Sequence, residues 1–189
     1  MKTDITQTLV DEHRLILRMI ALLEKNAPRT AAGQYPDWQF YLDGIDFIRQ
    51  YADRFHHAKE EEVLFKALID NGMPKEHSPV AAMLMEHDQG RSFVQAMEVA
   101  VREARAGRSD SYQAIADNAL GYAALLRDHI GKEDDILYPL AERVIPETMR
   151  SAILQGYQAA AAQAPAGFSE RYRDIVARYE QELAGSGRI

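Results

Sequence analysis

His56-His57-Ala58-Lys59-Glu60-Glu61-Glu62-Val63-Leu64-Phe65 aligns without a gap on His129-Ile130-Gly131-Lys132-Glu133-Asp134-Asp135-Ile136-Leu137-Tyr138. Both stretches read His-x-x-Lys-Glu-acid-acid-aliphatic-Leu-aromatic. The likeness extends upstream: Glu12-His13 lies 43 residues before His56, and Glu86-His87 lies 42 residues before His129. A period of this size marks one structural unit used twice. On a helix, residues four apart share a face and are separated by about 6 Å along the axis. His56 with Glu60, and His129 with Glu133, therefore each aim an imidazole and a carboxylate at one point. His-x-x-x-Glu occurs three times, counting His57/Glu61, where chance gives about half of one.

Around these stretches the chain reads as helix throughout. Apolar residues recur at three- and four-residue spacing, as in Leu9, Ile16, Ile20 and Leu23, and no run alternates with period two. A first helix is expected over residues 4–26, stopped near Pro28 and Gly33. A second begins at Pro36-Asp37 and ends at Asn71-Gly72, with Pro74 beyond. A third opens with Ser78 as N-cap and Pro79 in the first turn and ends near Gly107. A fourth, capped by Ser109 or Asp110, runs to about Val144, before Pro146. The expected fold is all-α, an up-down-up-down four-helix bundle over residues 1–145. Residues 146–189 form an extension of one or two helices, broken at Ala164-Pro165-Ala166-Gly167 and restarted by Ser169. Its stripe of Tyr172, Ile175, Val176, Tyr179 and Leu183 packs on the bundle or on a second copy, as in a homodimer.

Composition narrows the function. The chain has 189 residues, 47% of them hydrophobic and 27% charged, with a net charge of −7, the balance of a folded globular protein. The acidic excess disfavours nucleic acid and anionic membranes as partners, since phosphates call for a basic surface. No run approaches a membrane span, and the first residues lack the apolar core of a secretory signal, so a cytoplasmic location is expected. Cysteine is absent, which removes thiolate nucleophiles, iron–sulfur clusters and cysteine-ligated zinc.

The repeated polar residues sit among core positions. Leu9, Ile16 and Leu17 surround His13 at helical offsets, Leu125, Leu126 and Ile136 surround His129, and Ala52 and Val63 flank His56. Unpaired imidazoles and carboxylates in an apolar interior cost roughly several kcal/mol each. A cation relieves that cost, and two cations sharing carboxylates match the number of donors better than one. Nitrogen and oxygen donors are compatible with Fe, Mn, Zn or Cu. The Glu-x-x-His order of ferritin-like bundles is reversed here, and the His-Glu-x-x-His of zinc peptidases is absent.

These residues resemble the hemerythrin-like, or HHE cation-binding, domain over about residues 5–142. The resemblance implies a four-helix bundle around two iron ions with an oxo or hydroxo bridge, with Mn or Zn as substitutes. Carried over by position, it makes His13, His56, Glu60, His87, His129 and Glu133 metal ligands, Glu60 and Glu133 being the bridges. Two positions depart from the oxygen carriers. The histidine expected four residues before His87 is Met83, and the acid of the fourth helix is Glu at four residues after its histidine, not Asp at five. His57 resembles a compensating ligand used by some bacterial and regulatory members. The implied ligand is O2, nitric oxide or a peroxide. If the centre turns over, the resemblance implies a di-iron oxidoreductase of peroxidase or catalase type. Iron storage or donation to damaged iron centres, and sensing through a separate partner, are the rival functions.

Other residues have plainer expectations. His77 belongs to a solvated loop. Glu61, Glu62, Asp134 and Asp135 form an exposed acidic face, with guidance of cations to the site as the alternative. Glu12 and Glu86 are exposed, with a hydrogen bond to an imidazole as the alternative. Tyr122, seven residues before His129, packs, with lining of the metal pocket as the alternative, and Met83, Met85 and Met97 fill the core.

Overall fold

The computed structural model describes residues 2–186. Six helices and no strand are found among them: α1 (Gln7–Ala31), α2 (residues 38–70), α3 (Pro79–Arg105), α4 (residues 111–144), α5 (Glu147–Ala161) and α6 (Phe168–Ser186). Helix α4 packs along α1 and α3, and α2 lies against α3.

The punctuation follows local chemistry. Asp37 caps α2 by accepting from the Phe40 amide at 3.0 Å, and Ser78 caps α3 by accepting from Ala81 at 3.2 Å. Gly72, with φ of +99°, reverses the chain after α2, a conformation that favours glycine. Three expectations shift. Helix α1 continues through Pro28 to Ala31, because Ala27 and Thr30 are buried and the Thr30 hydroxyl bonds the Tyr41 hydroxyl at 2.8 Å. Tertiary burial there outweighs the amide that proline lacks. Asp110 precedes α4 without a side-chain capping bond. Ser169 lies inside the first turn of α6, which starts at Phe168.

Two long helices are not uniformly α. Helix α2 widens into π turns over Ile48–His57 and Glu60–Leu64, and α4 does so over Glu133–Leu137. Such turns replace i→i+4 bonds by i→i+5 bonds and are often found at functional sites. Here they fall on the repeated stretch of both halves.

The interior holds two apolar clusters with a polar plate between them. One gathers Ile16, Leu23, Phe47, Met97 and Ile115; the other gathers Ile5, Leu9, Leu64, Met83 and Leu137. Met83 and Met97 are buried as expected, whereas Met85 is 66% exposed. Helix α5 covers the second cluster with Ile153 and Tyr157. Helix α6 lays Tyr172, Val176 and Tyr179 into the first, and the two tyrosine hydroxyls donate to Asp46 and Asp43 at 2.9 and 2.7 Å. Each such buried side chain contributes about 1.5–3 kcal/mol.

Candidate metal centre

The plate is made of the repeated residues. His13 from α1, His56, His57 and Glu60 from α2, His87 from α3, and His129 and Glu133 from α4 are all buried, both carboxylates completely. They form two groups. One joins His13, His56, Glu60 and Glu133; the other joins His57, Glu60, His87 and His129. Within each group one donor atom per residue lies within 4.8 Å of the rest, and Glu60 belongs to both. Glu133 also reaches both groups, with Oε2 3.3 Å from His13 Nε2 and Oε1 3.2 Å from His129 Nε2. Glu60 Oε2 stands 3.6 Å from Nε2 of both His56 and His87. The Nε2 atoms of His87 and His129 face each other at 3.1 Å.

Local backbone geometry explains how one helix serves both groups. Neighbours on an α-helix diverge by about 100°, and His56 and His57 do point into different groups. The π turns widen α2 here, and both rings remain inside the bundle. The repeat partner of His57 is Ile130, so the two halves differ at this position. The second group holds three imidazoles and the first holds two.

Four imidazoles are oriented by carboxylates on their far side. His56 Nδ1 donates to Glu12 at 3.0 Å and His129 Nδ1 to Glu86 at 2.9 Å. His13 Nδ1 donates to Asp134 at 2.9 Å and His87 Nδ1 to Glu61 at 2.7 Å. The pattern is two-fold: within each hairpin a glutamate of the first helix holds the histidine of the second, and across hairpins the acid after the shared Glu holds the opposite histidine. Such bonds place the proton on Nδ1 and turn the Nε2 lone pair inward. Lys59 and Lys132 donate to Glu12 and Glu86, each at 2.5 Å. Lys59 is itself buried and lies 3.3 Å over the Phe55 ring.

Glu61 and Asp134 are therefore not free members of an acidic face, although Glu62 and Asp135 are exposed as expected. Glu12 and Glu86 take the hydrogen-bonding alternative. Three further residues had no sequence reading as site residues. Asp53 sits 3.5 Å from His57 Nδ1 and is held by Arg91 at 2.7 Å; Arg91 also holds Glu61 at 2.8 Å. Tyr138 stacks on His13, ring centroids 5.6 Å apart, and donates to Glu60 Oε1 at 2.5 Å. Among the residues behind the imidazoles, the repeat carried a signal for Lys59/Lys132, Glu61/Asp134 and Glu12/Glu86, which the two halves share, and none for Asp53 and Arg91, whose repeat equivalents are Leu126 and Leu17. His77 is exposed in the loop before α3 and outside the plate.

The electrostatics fit a cation. Burial and the neighbouring Glu133 charge push the Glu60 carboxyl well up. Burial works the same way on Glu133, but the imidazoles of His129 and His13, 3.2 and 3.3 Å away, hold it well down. Burial pushes His56 well down and His57 down to about 4, which leaves them neutral, the form that binds metal. Burial opposes the charge on His13, yet the hydrogen bond to Asp134 and the neighbouring Glu133 carboxylate raise it to about 9. Glu60 Oε2 and both Glu133 oxygens have no hydrogen-bond partner. Buried, unpartnered carboxylate oxygens ringed by inward-facing imidazole nitrogens are the donor set a divalent or trivalent metal ion satisfies.

The hemerythrin HHE cation binding domain matches residues 4–141. Three uncharacterized mycobacterial proteins, one of Mycobacterium bovis and two of Mycobacterium tuberculosis strains, are each 20% identical over 139 residues. The match covers 74% of this chain and 54% of theirs, so the chain spans about half the length of these relatives. No solved structure matches. No described helix is long and apolar enough to cross a membrane.

Proposed function

The chain belongs to the hemerythrin HHE cation-binding family, and from that membership we propose that it holds two iron ions at the plate and there binds or reacts with O2, nitric oxide or a peroxide. The observation that carries this reading is the pair of buried four-residue groups sharing Glu60, with Glu133 reaching across both. In this reading α1–α4 run alternately up and down. His13 and His56 would hold one ion, His57, His87 and His129 the other, and Glu60 and Glu133 would be shared between them. A pair of iron ions, when bound, supplies reversible binding of small oxygen or nitrogen ligands and the electrons to reduce them.

The chain's own residues do the rest. Glu12, Glu61, Glu86 and Asp134 hold four Nδ1 protons and so fix which nitrogen each ring presents. Tyr138 keeps a proton on its hydroxyl, 2.5 Å from Glu60 and 3.4 Å from His13 Nε2. The apolar clusters enclose the plate on two sides and lower the polarity around it. Lys59 and Lys132 offset the charge of Glu12 and Glu86.

The test is anaerobic purification with metal counting, followed by exposure to O2 and to H2O2. Two irons per chain and a new visible absorption band on exposure are expected. Glu60→Ala and His129→Ala should each lose most of the metal while remaining helical. Full iron retention in both variants would sink the ligand assignment. Rapid peroxide loss identifies an enzyme, a stable band without turnover a carrier or sensor, and iron transfer to an apo-protein a donor.

A further inference from the structure

A cavity of about 420 Å3 opens between α2, α3 and α4 and reaches the plate at His57 and His87. A water molecule's share of liquid is about 30 Å3, so this space is far larger than O2, nitric oxide or H2O2 requires. It falls within the roughly 300–1,000 Å3 typical of sites for small organic ligands.

Its walls define what fits. Ile48, Val94 and Leu126 supply apolar surface. The charged residues at its rim are already matched within the protein: Arg49 and Arg102 with Glu98 at 2.7 and 2.6 Å, Arg91 with Asp53 at 2.7 Å, and Glu86 with His129 and Lys132. No net charge is presented for an ionic ligand to meet. The lining also includes Tyr122, which is 2% exposed and whose hydroxyl has no hydrogen-bond partner among the described residues. A buried hydroxyl without a partner is uncommon, and a ligand oxygen that reached it would complete it.

Gly90 keeps the space open. It lies one turn beyond His87 in α3, where its backbone is ordinary helix and glycine is less stable than alanine. A Cβ added there meets the Tyr122 ring at 3.5 Å, an ordinary contact. The atoms of a longer side chain beyond that Cβ would occupy the cavity.

We propose that this cavity binds a small uncharged organic molecule, with an apolar body against Ile48, Val94 and Leu126 and one oxygen accepting from Tyr122, beside the His57 and His87 face of the plate. This deepens the reading above by naming the kind of molecule presented to that centre, an alcohol or organic hydroperoxide in place of a bare diatomic.

The test is calorimetric titration of the purified holoprotein with cumyl alcohol, with benzoate as a charged molecule of similar size. Saturable binding of the alcohol is expected, with benzoate at least tenfold weaker. Tyr122→Phe should weaken the alcohol three- to tenfold, and Gly90→Leu should abolish binding. Circular dichroism and metal content should be unchanged in both variants. Lack of saturable binding to the wild type overturns the proposal, as does equal binding by Tyr122→Phe or a preference for benzoate. Should Gly90→Leu not fold, the isosteric Tyr122 variant decides. Metal counting is independent of this readout: alcohol binding to a protein that holds no iron would reject the di-iron reading and keep the cavity, and an iron-replete protein that ignores the alcohol would do the reverse.

Discussion

Glu61 on α2 accepts a 2.7 Å hydrogen bond from Nδ1 of His87 on α3, so the orientation of one hairpin's imidazole depends on the other hairpin. Asp134 and His13 repeat the relationship at 2.9 Å in the opposite direction. The two halves are thereby interlocked around the plate, each supplying the carboxylate that the other's first helix needs.

Glu61→Gln should lower metal affinity about 10–100-fold, as loss of a carboxylate behind a ligand imidazole does. Its exposed neighbour supplies the control: Glu62→Gln should leave affinity within error of wild type. Competition with a chromogenic chelator measures both, and equal affinities for the two variants would contradict the role given to Glu61.

His57 belongs to one donor group and not the other. His57→Ala is expected to drop the metal content by about one ion per chain and alter the visible spectrum, with helix content preserved. Retention of both ions with an unaltered spectrum would remove His57 from the ligand set.

Metal removal should destabilise the fold, because it leaves Glu60 and Glu133 facing each other in a dry interior. A ligand at 100 times its Kd adds about 2.7 kcal/mol per site, which for a chain of this size is roughly 5–10 °C in Tm. Thermal melts before and after chelation, and after zinc is restored, provide the measurement. Zinc is redox-inert, so recovery with it would show that the stabilisation is electrostatic.

Helix α5 approaches α2 closely at one glycine. A Cβ on Gly156 would lie 2.9 Å from Val63 Cγ1, too close for a short branched side chain to yield cheaply. Gly156→Ala is expected to cost about 1–3 kcal/mol. Gly131→Ala, where nothing lies within 4 Å of the added atom, should instead stabilise α4 by about 0.5–1 kcal/mol. Urea denaturation of the two variants should move in opposite directions.

Helix α6 should loosen first in acid. Arg18 on α1 donates two hydrogen bonds to Glu180, at 2.9 and 2.7 Å, and these hold the Glu180 carboxyl below its ordinary value of 4.5. A carboxylate lowered on folding contributes stability that is complete above its unfolded pKa and disappears as pH falls through the folded value. Hydrogen exchange at about pH 6 and about pH 3.5, corrected for the intrinsic rate, should show protection lost in α6 before α1. Arg18→Met should diminish the acid dependence without abolishing helix α6, whose Tyr172 and Val176 remain buried.

Much of this was legible in the chain itself. The repeat at residues 56–65 and 129–138, the Glu-His pairs upstream and the three-to-four apolar spacing are local patterns, and they determine helices that turn an imidazole and a carboxylate to one face. Ser78 and Asp37 announce helix starts for the same local reason, since a cap needs only its own first turn. Tertiary structure decided what depends on groups distant in sequence. Glu61 and Glu62 are both acids after the same histidines, and only the approach of α3 gives one of them His87 as a partner while the other stays in water. Helix α1 runs through Pro28 because Thr30 meets Tyr41 from α2. The π turns that take His56 and His57 to separate groups were not legible in the residue pattern, and Tyr138 became part of the plate through a contact with Glu60, 78 residues away. Periodicity along one helix specifies which residues face inward; what they meet there is set by the packing of the other helices.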